Sequence, residues 1–147
     1  MSSNRLLRFA GGVLALTCAL AAAPSVQADS LAVSPTRLTV AAPAKATTMT
    51  IKAEGKGQSV VQIRVMAWNP SDDPGILRAT KSVSVSPPAA KLKLRQELTL
   101  RIVRNDKRSV RRLECYRILI DRLPAKAKPG QAIQLQVRQS VPLCFTP

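Results

Sequence analysis

Histidine is absent from the chain, and acidic residues are scarce, with 8 Asp and Glu against 23 Lys and Arg. Histidine is the commonest general base and the commonest metal ligand, so its absence removes the usual starting point for both kinds of site. The adjacent acids Asp72 and Asp73 lie in a stretch rich in turn-forming residues. No phosphate-binding loop, nucleophile motif or metal-ligand spacing is present. We therefore predict that the protein is not an enzyme and needs no metal or other cofactor.

Aromatic residues are also few, at 3% of the chain. A base-stacking platform for nucleic acid is therefore not expected, and no nucleic-acid recognition module is visible. The formal net charge of +15 nevertheless predicts attraction to anions. A polyanion, an acidic protein and an anionic membrane surface are the candidate partners, and the alternative is a basic surface that is simply solvated. Nucleic acid is disfavoured.

A long apolar run is found only near the N-terminus. Arg5 and Arg8 precede it, and small residues up to Ala28 follow it. This order is typical of a cleavable secretory signal peptide, and the run is shorter than the roughly 20 residues that span a bilayer. We predict a signal peptide at residues 1–28 and a mature chain at 29–147 that has no membrane span after cleavage.

Beyond this segment the sequence shows no helical periodicity. It consists of short runs in which apolar and polar residues alternate, separated by Pro and Gly. Alternation of apolar and polar residues indicates strands that bury one face. The predicted strands are Leu31–Val40, Thr47–Ala53, Ser59–Trp68, Ile76–Ser86, Glu97–Arg104, Cys115–Leu123 and Ala132–Phe145. About seven strands separated by frequent turns predict an all-β, seven-stranded, immunoglobulin-like β-sandwich in a single domain.

The last predicted strand has an apolar odd-numbered face that begins with Ile133, Leu135 and Val137. This face either packs in the core or forms an exposed edge that pairs with another chain. An unoccupied apolar edge also invites pairing between two copies of the same chain.

Two cysteines, Cys115 and Cys144, remain after cleavage, and an oxidising compartment allows them to form a disulfide. A simple hairpin centred near residue 127 places Cys115 near Gln139 and separates the two sulfurs by more than about 10 Å. A disulfide needs Cα atoms within about 7 Å, so this register disfavours a bridge. A bulge or a shifted register would permit it.

Several segments along the mature sequence have a recognisable order and spacing. They are Leu31–Leu38, Val85–Pro88 followed by Glu97–Arg104, Cys115–Pro124 and Arg138–Leu143. Together they resemble the N-terminal, PapD-like domain of usher-pathway periplasmic pilus chaperones, and their residue patterns are most similar to those of the archaic, spore-coat-type branch. The resemblance implies a periplasmic domain that binds a pilus or fimbrial subunit, with an outer-membrane usher as a further candidate partner.

The same resemblance implies a mechanism. The chaperone donates its last strand to a subunit whose own sandwich lacks one strand, here through Ile133, Leu135 and Val137. It also implies two cations that bind the C-terminal carboxylate of the subunit. The first matches Arg37. The second is a lysine in the family, and Pro142 occupies its place, so Arg138 on the same strand is the candidate replacement.

Members of this family carry two immunoglobulin-like domains, and this sequence stops where the first would end, so we expect the second domain to be absent. The alternative function is a basic adhesion or surface-binding domain for anionic partners. In that case Lys107–Arg112, with Lys126 and Lys128 assisting, would bind an anionic surface. Such binding would weaken as salt screens the charges.

Overall fold

The computed structural model describes residues 30–54, 57–123 and 136–147, and all of its regular elements are β-strands. The signal peptide predicted at 1–28 lies outside these residues. The described part of the chain contains no helix with the length and hydropathy of a membrane span. In chain order the ten strands are β1 (Ser30–Ser34), β2 (Leu38–Ala41), β3 (Ala46–Glu54), β4 (Ser59–Ala67), β5 (Arg78–Ala79), β6 (Val83–Ser86), β7 (Ala89–Leu92), β8 (Glu97–Arg104), β9 (Glu114–Leu123) and β10 (Arg138–Thr146).

These strands form two sheets. The first has the order β1-β3-β8-β6, and the second has the order β2-β10-β9-β4-β5, with β7 also paired to β4. Strand β2 runs parallel to β10, whereas β9 runs antiparallel to β10 on the other side. The inner faces enclose one core, whose fully buried large side chains include Met49, Ile51, Leu100, Ile102, Ile118, Leu143 and Phe145. The arrangement is the predicted all-β, immunoglobulin-like sandwich.

Alternation in sequence decides which face of each strand is buried. In β4, Val61 and Ile63 are 0% and 2% exposed, while Gln62 and Arg64, which alternate with them, face solvent. Since successive side chains of a strand point to opposite faces, one apolar set per strand is sufficient to cover the core.

The first predicted strand, Leu31–Val40, is two strands in the structure. β1 pairs with β3 in the first sheet, and β2 pairs with β10 in the second. Pro35 lies between them, and because proline has no N–H it interrupts a ladder of backbone hydrogen bonds. The segment therefore crosses from one sheet to the other, and this crossing places Arg37 directly before β2.

Two further strands differ from the sequence prediction. The run Ile76–Ser86 is divided into β5, which pairs with β4, and β6, which pairs with β8 in the other sheet. Strand β7 was not predicted, because its short Ala-Ala-Lys-Leu sequence shows little alternation. It pairs with the edge of β4 that faces away from β9.

The disulfide corrects the predicted register of the last two strands. Cys115 lies opposite Cys144, and the partner of Gln139 is Ile120. The Cα atoms of the two cysteines are 4.2 Å apart, and the side chains form a disulfide. The expectation that hairpin geometry separates them is therefore wrong. It assumed a turn centre near residue 127, and nothing in the local turn composition specifies the register of such a connection.

Candidate functional site

The first half of β10 has a neighbouring strand on one side only. Strand β9 pairs with β10 from Arg138 to Phe145, but β2 pairs with β10 only from Leu143 onward. Within the described residues, no strand lies beside Arg138–Pro142 on the β2 side. Unpaired backbone N–H and C=O groups along such an edge are a template for a strand from another chain.

The apolar face of the last strand extends from the core into solvent at this edge. Val141, Leu143 and Phe145 are buried, whereas Val137, which has the same parity in the sequence, is 47% exposed. Gln139 marks the end of the core, and its side-chain amide donates a hydrogen bond to the carbonyl of Leu31 in β1. Val137 is therefore an exposed apolar residue that leads into an unpaired strand edge.

Ile133 and Leu135 continue this alternation in the sequence, and they lie outside the described residues. The structure describes the last strand from Arg138 to Thr146, whereas the prediction was Ala132–Phe145. The predicted binding strand is thus described only from its third apolar position, Val137, onward.

Two arginines flank Pro142 on the outer face of the second sheet. Arg117 of β9 lies directly opposite Pro142. On the other side, Leu38 pairs with Leu143, so continuing this parallel register by one residue places the exposed Arg37 beside Pro142. The place where the resemblance implies a lysine is therefore bordered by Arg117 of β9 on one side and, on the other, by Arg37 in the segment that precedes β2.

Arg117 is held against an aromatic ring. Its guanidinium carbon lies 4.0 Å from the ring centroid of Trp68, which is a cation–π contact. Nε of Arg117 and Nε1 of Trp68 are both buried and have no hydrogen-bond partner among the described residues. Both nitrogens are shielded from solvent, so any attraction of an external anion to this position comes from the positive charge of the Arg117 guanidinium.

Arg138 belongs to a different cluster, around a buried carboxylate. Nε and Nη2 of Arg138 donate to Asp121 at 2.5 and 3.4 Å, and Nη2 of Arg64 donates to the same carboxylate at 2.8 Å. The Asp121 side chain is 2% exposed, whereas both arginines are about half exposed. Arg138 lies about 13 Å along β10 from Pro142. Its guanidinium is therefore engaged away from the Arg37 and Arg117 pair.

The buried carboxylate makes the fold sensitive to acid. Burial alone would raise the pKa of Asp121, but the hydrogen bonds and charges of Arg138 and Arg64 outweigh it and hold the pKa below its ordinary value. The stabilisation is then fully present above about pH 4 and is lost as the pH falls through the folded-state pKa. We expect the urea midpoint of the native protein to fall on acidification below pH 4, and that of Asp121→Asn to fall less. Equal decreases in the two proteins would contradict this account.

The basic run Lys107–Arg112 lies in the loop between β8 and β9, at the end of the sheet opposite the open edge. Lys126 and Lys128, expected to assist it, lie outside the described residues. In the described part of the chain, no group of Cys, Asp and Glu could hold a metal ion.

The geometry defines a class: an immunoglobulin-like sandwich whose final strand leaves the core with an unpaired edge. The family described as "Pili and flagellar-assembly chaperone, PapD N-terminal domain" matches residues 30–147, and the chain belongs to this family. The resemblance seen in the sequence is thereby confirmed.

Solved structures of chaperones share the fold. A chain in the CsuC–CsuE chaperone–tip adhesion subunit pre-assembly complex, from archaic chaperone-usher Csu pili of Acinetobacter baumannii, is 26% identical with a TM-score of 0.66. The match covers 80% of this chain and 56% of that one. The Salmonella enterica complex of SafA pilin with the SafB chaperone gives 23% identity, a TM-score of 0.67, and coverage of 84% and 57%. The E. coli chaperone DraB is 23% identical with a TM-score of 0.63, and the match covers 81% of this chain and 55% of that one.

At these identities the last two matches show likeness of fold. The protein spans little more than half the length of the chains it matches. A comparison with curated protein sequences returns no match.

Proposed function

We propose that this protein is a periplasmic chaperone of pilus assembly that binds a pilus or fimbrial subunit by donating its last strand. The observation that carries the proposal is the apolar face of β10, which continues from the core to the exposed Val137 beside an unpaired edge. Family membership supports the chaperone role and supports the prediction that the protein is not an enzyme. The matched Csu and Saf structures are complexes of a chaperone with a tip adhesion subunit and with a pilin.

In strand donation, the backbone supplies affinity and the side chains supply register. Hydrogen bonds along the open edge of β10 would bind any subunit that lacks one strand, because they do not depend on its sequence. Ile133, Leu135 and Val137 would fill alternate pockets of the subunit and set the register. Each of them contributes about 1.5–3 kcal/mol when fully buried.

Arg37 and Arg117 are the cations that we assign to the C-terminal carboxylate of the subunit. Arg117 lies opposite Pro142 in β9, and Arg37 borders Pro142 from the segment that precedes β2. Arg138, the replacement inferred from the sequence, stays a second candidate, and its guanidinium would have to leave Asp121. A charge-assisted hydrogen bond is directional, so it fixes the position of the subunit strand along β10.

Co-purification from a periplasmic extract at high salt tests the proposed function. We expect the native protein to fractionate with the periplasm and to retain a small exported β-protein, because strand pairing is little affected by screening. Retention that disappears at high salt would instead favour the basic surface-binding alternative. Absence of the protein from the periplasmic fraction would contradict the proposed location.

Substitution of the carboxylate-binding cations should remove one specific preference. With the C-terminal peptide of the retained subunit, we expect the native protein to bind the free carboxylate about 10- to 100-fold more tightly than the amidated peptide. Arg37→Gln and Arg117→Gln should each reduce this ratio towards one. Arg101→Gln, an exposed substitution on the other sheet, is the matched control. A ratio lost in Arg138→Gln but kept in Arg117→Gln would transfer the role to Arg138.

A further inference from the structure

The loop of residues 105–113, called the basic loop here, is organised by a buried arginine. The Arg104 side chain is 2% exposed. Its Nε and Nη2 donate to the two carboxylate oxygens of Glu114 at 2.8 and 2.9 Å, and its Nη1 donates to the carbonyls of Asp106 and Arg108 at 2.9 and 2.7 Å. Val110 is buried and fixes the middle of the loop to the core. The backbone of the basic loop is therefore ordered before any ligand binds.

The cations of this loop point into solvent. Lys107, Arg108, Arg111 and Arg112 are exposed, and in the described part of the chain none of them forms a salt bridge. The acids at the loop, Asp106 and Glu114, are both engaged by Arg104. Lys45 adds a further cation, and its ammonium donates to the carbonyl of Lys107. The loop and its surroundings thus keep a net positive charge that is available to an anionic partner.

An apolar side chain accompanies these cations. Leu113 follows Arg111 and Arg112 directly and is 54% exposed, the largest exposure among the large apolar residues described. Cations beside an exposed apolar side chain suit a lipid surface, where anionic headgroups meet the cations and the apolar group enters the interface. An acidic polypeptide would satisfy the cations but would give no role to Leu113.

The basic loop and the open edge lie at opposite ends of the second sheet. Glu114, at the end of the loop, pairs with Phe145 near the end of β10, whereas Asp121 pairs with Arg138 at its beginning. The rise of a strand places these two ends about 23 Å apart. A surface bound at the basic loop would therefore leave the edge of β10 free.

We propose that the basic loop is a docking surface for a bilayer that contains anionic phospholipid. Lys107, Arg108, Arg111 and Arg112 contact the headgroups, and Leu113 enters the interfacial layer. Docking would hold the protein at the membrane surface while the open edge remains accessible.

Sedimentation with vesicles tests this proposal. The purified exported protein is mixed with vesicles of phosphatidylcholine alone or of equal parts phosphatidylcholine and phosphatidylglycerol. We expect binding to the mixed vesicles only, and a loss of about thirtyfold in Arg111→Gln with Arg112→Gln, at about fivefold for each neutralised charge near an anionic surface. Lys91→Gln with Lys93→Gln removes the same charge at the other end of the sheet and should bind almost as the native protein does. Circular dichroism checks that both variants are folded.

Two further measurements separate a lipid from other anions. Leu113→Ser should weaken vesicle binding about fivefold and leave the binding of soluble polyglutamate unchanged. Failure to bind mixed vesicles, or equal losses in the two charge-neutralised proteins, would overturn the proposal, because the net charge alone would then explain attraction. Polyglutamate bound more tightly than the vesicles, with no effect of Leu113→Ser, would overturn it in favour of an acidic polypeptide.

Discussion

Leu135→Glu combined with Val137→Glu should abolish retention of the exported subunit at high salt and leave the domain folded. Both substitutions remove an apolar side chain from the face that we propose is donated, and they would place a carboxylate in an apolar groove of the subunit. Burial of an unpaired charge is strongly unfavourable. With about 1.5–3 kcal/mol lost for each apolar contact, we expect affinity to fall at least a thousandfold. Val137 is 47% exposed, so its substitution does not disturb the core.

The matched control uses the polar face of the same segment. Gln134→Glu with Gln136→Glu adds the same charge to neighbouring positions of opposite parity. In a donated strand, side chains of opposite parity point away from the groove, so this control should retain the subunit. Dissociation constants for the two variants, measured with the purified subunit, give the comparison. Equal affinities for the two variants would show that binding does not depend on which face of the segment carries the charge, and this would contradict strand donation.

The alternation of apolar residues was sufficient to predict the sandwich, because each strand has one buried face. Val61 and Ile63 in β4 are an example, and the same pattern identified β3 and β8. Pairing register was not predictable in this way. The position of Cys115 opposite Cys144 depends on where the chain turns between β9 and β10, and parity alone leaves that position open in steps of two residues. Parity does exclude the register with Cys115 near Gln139, because the core residues are even-numbered in β9, at Ile118 and Ile120, and odd-numbered in β10, at Val141 and Leu143.

The residues of the candidate site were likewise predictable only in part. The apolar parity of Val137 was visible in the sequence, which left open whether that face is buried or exposed, and Arg37 came from the resemblance. Arg117 was missed, because its relation to Pro142 and to Trp68 is created by pairing between strands. A signal was nevertheless present: Arg117 and Asp121 are charged residues of equal parity in the middle of β9, where Ile118 and Ile120 alternate with them, and this indicates an outer face with polar partners.

Loss of the buried Arg104 side chain should destabilise the protein strongly. Arg104→Met leaves the Glu114 carboxylate without its bidentate partner and the carbonyls of Asp106 and Arg108 without donors. Breaking a buried ion pair by removing one member destabilises proteins strongly, so we expect the free energy of unfolding to fall by about 3 kcal/mol or more. This is a large part of the 5–15 kcal/mol typical of a domain. Urea denaturation at neutral pH measures the change.

Two companion variants make the result specific to the ion pair. Arg101→Met lies on the same strand but is exposed, and a change within about 0.5 kcal/mol is expected there. In Arg104→Met with Glu114→Leu, no unpaired carboxylate remains, so part of the lost stability should return. A loss below about 1 kcal/mol in Arg104→Met would mean that water replaces the guanidinium, as it does for exposed pairs. In that case Val110 and the adjoining strand ends, and not Arg104, would hold the basic loop in its conformation.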